Sequence, residues 1–442
     1  MKLKSILGGT ALALAFLASA QADVTVNITG ATAFRSATLA SIKARYLAAG
    51  TPMFKFAHDM ATAGGTTYTG ATRAIFIGNF PGVTGTTTIR CCFTGSVEGI
   101  RALIPGVTDP LPPTYYQSSL LSGTTATAAG AELANQGETG AAALGGISDI
   151  AFSDVTKSST PYSAASLQPA TPAAGVILFT MIGNKGWPSS VTSITAQQFR
   201  AIFGKGYQPL SLLTGNATNT DLVFATGRND GSGTRTTYLA ETGFGISNTV
   251  QQFVANTSNA TALTQIQLVP AGGVNSPVLP GQSAKNASTV WGLDVDGNGG
   301  YNSGSTLKTD LGKTSTSVTV LDASGTDAFG APVNLYLVTW LSLSDAAGAR
   351  TNGATILGYE GVILSDYATS GTLSTADKAK ITNGSYTAWG YENMYLRNDV
   401  TSGDKLAVYT AIKGNLTLSG TAGIALTDMV VGRTVDGGTV AP

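Results

Sequence analysis

The sequence predicts an α/β protein built as two lobes, with mostly parallel sheets. Three observations predict it. Apolar strand-like runs alternate with helix-like segments along nearly the whole chain. Its 442 residues exceed what one hydrophobic core usually serves. Several strands also end in turns of Gly, Ser or Thr that open a helix, whose first backbone N–H groups have no partner within it. No internal repeat of fixed period competes with this reading.

The chain begins Met1-Lys2-Leu3-Lys4, runs apolar from Ile6 through Ala18 and reaches Ala20-Gln21-Ala22. A basic start, a short apolar stretch and an A-x-A site read as a secretory signal peptide, residues 1–22, cut after Ala22. A buried N-terminal helix is the alternative. The run is too short to span a bilayer, and no later run is long enough, so no membrane span is expected in the mature chain. Position 23 is Asp rather than Cys, which leaves the usual bacterial lipid anchor without an acceptor. The expected location is periplasmic or secreted.

Basic and acidic residues balance at 25 each over the whole chain. Removing Lys2 and Lys4 with the signal leaves a net charge of about −2. Such a balance gives no global attraction for nucleic acid or acidic lipid, so any anion binding must be local. With 43% hydrophobic and 11% charged residues, the chain reads as folded with long polar loops, not disordered. The two cysteines are neighbours, Cys91 and Cys92, which excludes a long-range disulfide framework. Thiols in a strand are favoured over a vicinal disulfide. His58 is the single histidine, so zinc sites of the usual kinds and a Ser-His-Asp triad lack their parts. No catalytic residue, metal or cofactor is expected.

Taken in order, Asp23 to Ile28 alternates apolar and polar residues as a short strand. It leads through Thr29-Gly30-Ala31-Thr32-Ala33-Phe34 into a helix over Ser36 to Leu47, with Thr32 at the helix mouth. Ala74 to Gly78 and Thr86 to Phe93 read as strands joined by a turn. The second delivers Thr94-Gly95-Ser96 to a helix that Ser96 is expected to cap. Residues 105–146 read as an insertion with little core. Ile147 to Val155 is a strand ending in Ser153-Asp154, and Ala174 to Ile182 is the most apolar run of the mature chain. An uninterrupted run of that kind suits a strand buried on both faces.

Ile194 to Phe203 is a helix, with Thr195 its cap and Gly204 its stop. Leu222 to Thr226 is the next strand. A second insertion covers 248–317. Within it Asp294, Asp296 and Asn298 imitate the start of a calcium loop, but Ser305 stands where a bidentate Glu should close it, so a polar turn is favoured. Val333 to Leu341 and Ala354 to Ser365 follow, then a helix from Gly403 to Lys413. The expected domains are a first lobe over 23–172, a second over 173–350 and a return to the first over 351–442.

The strand Leu222 to Thr226 delivers Arg228-Asn229-Asp230-Gly231-Ser232-Gly233-Thr234-Arg235. Gly231 and Gly233 admit close backbone approach. The hydroxyls of Ser232 and Thr234 can donate, and Arg228 and Arg235 can supply forked, charge-assisted bonds. Alone, the stretch reads equally well as a capped Gly-rich turn with solvated arginines.

Together these segments resemble the periplasmic phosphate-binding proteins, the substrate-binding components of high-affinity phosphate ABC transporters. Gly30-Ala31-Thr32, Gly95-Ser96, Ser153-Asp154 and Arg228 to Thr234 are similar to four turns that the family carries in that order. Ile356-Leu357-Gly358-Tyr359, Asn383-Gly384-Ser385-Tyr386 and the helix closing on Gly204-Lys205 match later landmarks. The resemblance implies a two-lobed, periplasmic-binding-protein-like fold of type II, with a strand hinge and the ligand between the lobes.

Carried over by position, the resemblance implies a phosphate site of Thr32, Ala33, Ser96, Arg228, Ser232, Gly233 and Thr234 as donors, with Asp154 as single acceptor. Asp230 would orient Arg228 by an ion pair, and Arg235 would add a second cation. The implied partners are inorganic phosphate and an inner-membrane ABC permease, with the protein a monomer. Where the family often has an aromatic residue after the first Thr, this chain has Ala33, with Phe34 one place later. A secreted or cell-surface structural or adhesive protein on the same scaffold is the competing reading, motivated by the Thr/Gly/Ser-rich insertions. A phosphate-releasing enzyme is disfavoured, because neither a metal cluster nor a His-based nucleophile is in evidence.

Overall fold

The strand Gly175–Gly183 is buried along its whole length and changes partners halfway. In the computed structural model, which describes residues 23–48, 53–107, 113–137, 142–168, 173–272, 294–416 and 423–442, its first half pairs antiparallel with Trp389–Arg397. Its second half pairs antiparallel with Leu335–Ser342 and with Thr355–Tyr359. Being covered on both faces, it must be apolar on both, as the run Ala174 to Ile182 predicts. The expected signal peptide lies outside the described residues.

Trp389–Arg397 divides in the same way, with Leu178 opposite Trp389 at one end and Ile150 opposite Leu396 at the other. The two strands are therefore the hinge, one carrying the chain out of the first lobe and one bringing it back. On the first lobe's side the sheet continues through Ile150–Ser153, Val24–Gly30, Thr86–Cys92, Arg73–Asn79, Phe54–His58 and Ala131–Leu133. On the other side it continues through Leu335–Ser342, Leu222–Ala225 and Tyr207–Pro209. The α/β class, two lobes and strand hinge agree with the sequence reading. Among the described residues no helix is long and apolar enough to cross a membrane.

Three expectations are corrected. The sheet is mixed, not mostly parallel. Val24–Gly30 does lie parallel to Thr86–Cys92 and Ile150–Ser153, and Leu222–Ala225 parallel to Leu335–Ser342. Both hinge strands, however, run antiparallel to their partners, and Phe54–His58, Arg73–Asn79 and Thr86–Cys92 form an antiparallel meander. A connection as short as residues 80–85 can make only a hairpin.

The return to the first lobe comes at Trp389, not at 351. Thr355–Tyr359 still pairs with Gly175–Gly183 and with Ser193–Ile194. Two further helices, Ser365–Ser370 and Thr375–Thr382, precede the crossing. The insertion near 105–146 also carries more core than expected, since Tyr116 and Leu121 pack with Ala57 and Ile75.

The tract 248–317 contributes two of the strands in a three-stranded sheet, Phe253–Ser258 and Leu263–Leu268 beside Thr319–Leu321, and the helix Gly304–Leu311. Cys91 and Cys92 are buried at the end of their strand, and burial pushes the Cys91 thiol up. Residues 423–442 lie across both lobes. Ile424 bridges to Val176, Arg433 pairs with Glu241 at 2.7 Å, and Asp436 accepts from Thr156 N at 2.8 Å and Thr156 Oγ1 at 2.7 Å.

Phe179 marks the point where the outgoing hinge strand changes partners, and it is fully buried. Phe179→Ala is expected to lower the unfolding free energy by about 3–5 kcal/mol. Urea denaturation checks this; a loss below about 1 kcal/mol would show that this strand is not packed as described.

Candidate anion site

The four small-residue turns meet at one place, each bonded to the next. The first follows Val24–Gly30, where Ala31 N donates to Phe152 O at 2.8 Å and so ties it to the strand that precedes Asp154. Thr32 and Ala33 come next, both buried, ahead of the helix Arg35–Leu47. Gly30 O accepts from Gly95 N at 2.9 Å, which fixes the second turn against the first.

Gly95 has φ +122, a conformation that favours glycine, and it caps the helix Ser96–Ala102 without a side-chain bond. Ser96, expected as that cap, is instead the first helical residue. Its Oγ accepts from Asp154 N at 3.2 Å and joins the third turn to the second.

The fourth turn closes over these. Ser232 caps the helix Gly233–Glu241, its Oγ accepting from Arg235 N at 3.4 Å. Gly231 O accepts from Val97 N at 3.1 Å. A Cβ on Gly233 would collide with Ser96 Oγ and lie 3.0 Å from Asp154 Cβ, so only glycine lets this backbone come so close. Thr234 Oγ1 donates to Asp154 Oδ2 at 3.4 Å, and Arg228 Nη1 donates to Thr32 Oγ1 at 3.2 Å. The amides of Thr32, Ala33, Ser96, Gly233 and Thr234 form no backbone hydrogen bond among the described residues. Unpartnered amides gathered at helix starts beside a guanidinium can surround a small anion.

Arg228 is the buried cation of the site. Besides Thr32, its guanidinium bonds Tyr301 O at 3.1 Å through Nε and Asn302 O at 2.7 Å through Nη2. Burial pulls its pKa down to about 10, opposed most by the charges of Asp345 and Asp154. Asp230, expected to orient it, is itself buried in the same turn. The two carbonyls and Asp345 were not named by sequence reasoning.

Arg235 does not add a second cation alongside Arg228 in the way expected. Its guanidinium turns to Asn298, bonding the side-chain oxygen and, at 2.5 Å, the carbonyl. The calcium-like oxygens serve the protein itself. Asn298 Oδ1 also accepts from Val250 N at 3.1 Å, and Asp296 Oδ1 accepts from Ala271 N at 2.7 Å, as in a polar turn.

Two further residues of the site escaped the sequence reading. Arg35, buried at the start of its helix, acts electrostatically on Arg228, and its side chain forms no hydrogen bond or ion pair among the described residues. A cation in the first turn of a helix opposes the helix dipole, which is the signal that could have singled it out. Glu392, on the returning hinge strand, is fully buried opposite Asp154, whose charge acts on it. A charged residue directly after the run Trp389-Gly390-Tyr391 was its signal. Burial pushes Asp154 above the usual carboxylate range, against the influence of Glu392, the charge of Arg228 and the hydroxyls of Ser96 and Thr234.

No protein-family model and no curated protein matches this chain. Among solved structures it is similar to a candidate phosphate ABC transporter substrate-binding protein with bound phosphate from Clostridium perfringens. The identity is 13%, over 88% of this chain and 92% of that one, with a TM-score of 0.40. An ABC-type phosphate transport receptor from Vibrio cholerae is similar at 12% identity, over 88% and 93% of the two chains, with a TM-score of 0.37. PstS from Borrelia burgdorferi is similar at 12% identity, over 88% and 92%, with a TM-score of 0.31.

A side chain at Gly95 would meet both an unfavourable φ and the Gly231 carbonyl, 2.5 Å from the new Cβ. Gly95→Ala is expected to cost about 1–3 kcal/mol of stability. The shift of the urea midpoint measures it, and an unchanged midpoint would show that the second and fourth turns do not touch.

Proposed function

We propose that this chain is an exported solute-binding protein that holds inorganic phosphate between its lobes and delivers it to an inner-membrane permease. The observation that carries the reading is the meeting of four turns around one buried carboxylate, Asp154, with a buried guanidinium and unpartnered amides beside it. Monohydrogen phosphate brings a proton that Asp154 can accept, while its other oxygens take donors from Arg228, Ser96, Thr234 and the amides. Sulfate brings no proton. It would set a carboxylate against an anion at a penalty of several kcal/mol.

The energy is within reach. Micromolar affinity needs about 8 kcal/mol, and charge-assisted bonds of roughly 1.5–3 kcal/mol each can supply it after ordering costs. The reading places the mature protein, from Asp23, in the periplasm or outside the cell, working as a monomer. It assigns binding and transfer rather than catalysis.

Two substitutions test it by isothermal titration on refolded, phosphate-stripped protein. Arg228→Gln is expected to weaken phosphate binding about 100-fold or more by removing the buried cation. Asp154→Asn is expected to narrow the preference for phosphate over sulfate. A wild type that gives heat with neither anion between about pH 6 and 8 would sink the reading. Unchanged selectivity in Asp154→Asn would remove Asp154 from its assigned place.

A further inference from the structure

Behind Asp154 stands a second carboxyl group that the anion chemistry above leaves unused. Glu392 sits where the returning hinge strand passes between lobes. Its own position pairs with Gly175, while the next residue, Asn393, pairs with Ser153 and donates from Nδ2 to Ser153 O at 3.3 Å. The antiparallel register thus sets Glu392 against Asp154, and the charge of each carboxyl is felt by the other. Both Oε atoms of Glu392 and Oδ1 of Asp154 are buried without a partner in hydrogen-bond geometry, the Ser153 backbone amide being the N–H that most favours a charged Glu392.

Ionised carboxylates are acceptors only, so two of them can bond each other only through a proton that one still holds. Three buried oxygens outside hydrogen-bond geometry carry the same implication, because unmet acceptors of this kind are costly. The surroundings decide where the proton rests. Arg228 reaches the pair from the fourth turn and favours a charged Asp154. The helix Gly233–Glu241 contributes the hydroxyl of Thr234, and the helix Ser96–Ala102 that of Ser96. The strand Gly175–Gly183 contributes no charged group. Glu392 gains no cation, and burial and the charge of Asp154 hold it well above the ordinary carboxyl range.

We propose that Glu392 and Asp154 share one proton, and that this pair, rather than Asp154 alone, sets which anion the site holds. This rests on the cleft being the phosphate site. Glu392 is a positioning residue: it donates to one oxygen of Asp154 and keeps the group a carboxylate, whose other oxygen takes the proton of the ligand. Without that donor, burial drives Asp154 to take up a proton of its own. It then becomes a donor, and the ground for rejecting sulfate is lost. When alkali removes the shared proton, two adjacent carboxylates stand behind the anion and binding weakens.

The test uses the full chain as wild type, Glu392→Gln and Glu392→Leu. Infrared spectra of the anion-free protein at neutral pH should show a protonated carboxyl stretch that Glu392→Gln removes; no such difference would overturn the shared proton. Titrations with inorganic phosphate and with sulfate should show about a tenfold or greater loss of phosphate preference in Glu392→Leu, and a smaller loss in Glu392→Gln, which keeps a donor.

Phosphate affinity of the wild type should fall on the alkaline side, and Glu392→Gln should flatten that limb. An alkaline limb unchanged in Glu392→Gln would overturn the proposal even if the Leu variant did not fold. A second readout needs no ligand. A carboxyl raised above its ordinary value of 4.5 binds more protons folded than unfolded, so the wild type should lose stability relative to Glu392→Gln as pH climbs above that value. The opposite slope would overturn the assignment. Phosphate heat absent from all three proteins would overturn the phosphate reading and the selectivity claim together, while the infrared difference would still decide the proton.

Discussion

A buried guanidinium has to be met by acceptors, and the requirement of Arg228 organises the centre of this molecule. An unmatched cation at that depth would cost several kcal/mol. Its three bonds reach Thr32 in the first turn, and Tyr301 and Asn302 in the long polar tract. Segments hundreds of residues apart are therefore brought to one point by the needs of one side chain. The bonds to two neutral carbonyls and a hydroxyl use three of its five N–H donors without cancelling its charge. That charge is left to act on Asp154 and on whatever lies beside it.

The hinge fixes the other half of the arrangement. Asp154 follows the strand Ile150–Ser153, which pairs with the returning hinge strand, and Glu392 lies on that strand. Ser96 then bonds the backbone of Asp154, and Gly231 rests on the helix that Ser96 begins. Side chains from both lobes are thus referred to the same pair of strands. A displacement of the hinge by a fraction of an ångström would be felt at Asp154 and Glu392 together, because packed strands move as units rather than bend locally.

What could be read from the sequence was what neighbours along the chain decide. The run Ala174 to Ile182 declares a strand covered on both faces, and Gly231-Ser232-Gly233-Thr234 after a strand declares a turn at a helix mouth. What could not be read was decided by contacts across the fold. Whether Thr355–Tyr359 joins one lobe or the other depends on its partner strand, not on its own residues. Cap positions shifted by one, from Ser96 to Gly95, because the approach of Gly231 favours a residue without a side chain. Arg228 and Arg235 look equivalent in sequence. One precedes the turn and faces Thr32, whereas the other is the third residue of the helix and faces Asn298. Glu392 was visible only as a charge directly after the aromatic run Trp389-Gly390-Tyr391.

The segment 423–442 adds a constraint of a different kind. Asp436 grips Thr156, two residues beyond Asp154, while Arg433 grips Glu241 at the far end of the helix that begins at the fourth turn. One piece of chain is thus fastened to both lobes, as a clasp is fastened to both covers of a book. Hinge strands alone permit the covers to swing freely; a clasp makes separation wait for one of its ends to let go. Separation of the lobes then requires a local unfastening of a few bonds, the Arg433–Glu241 pair among them buried, and its rate rises with temperature as unfolding steps do.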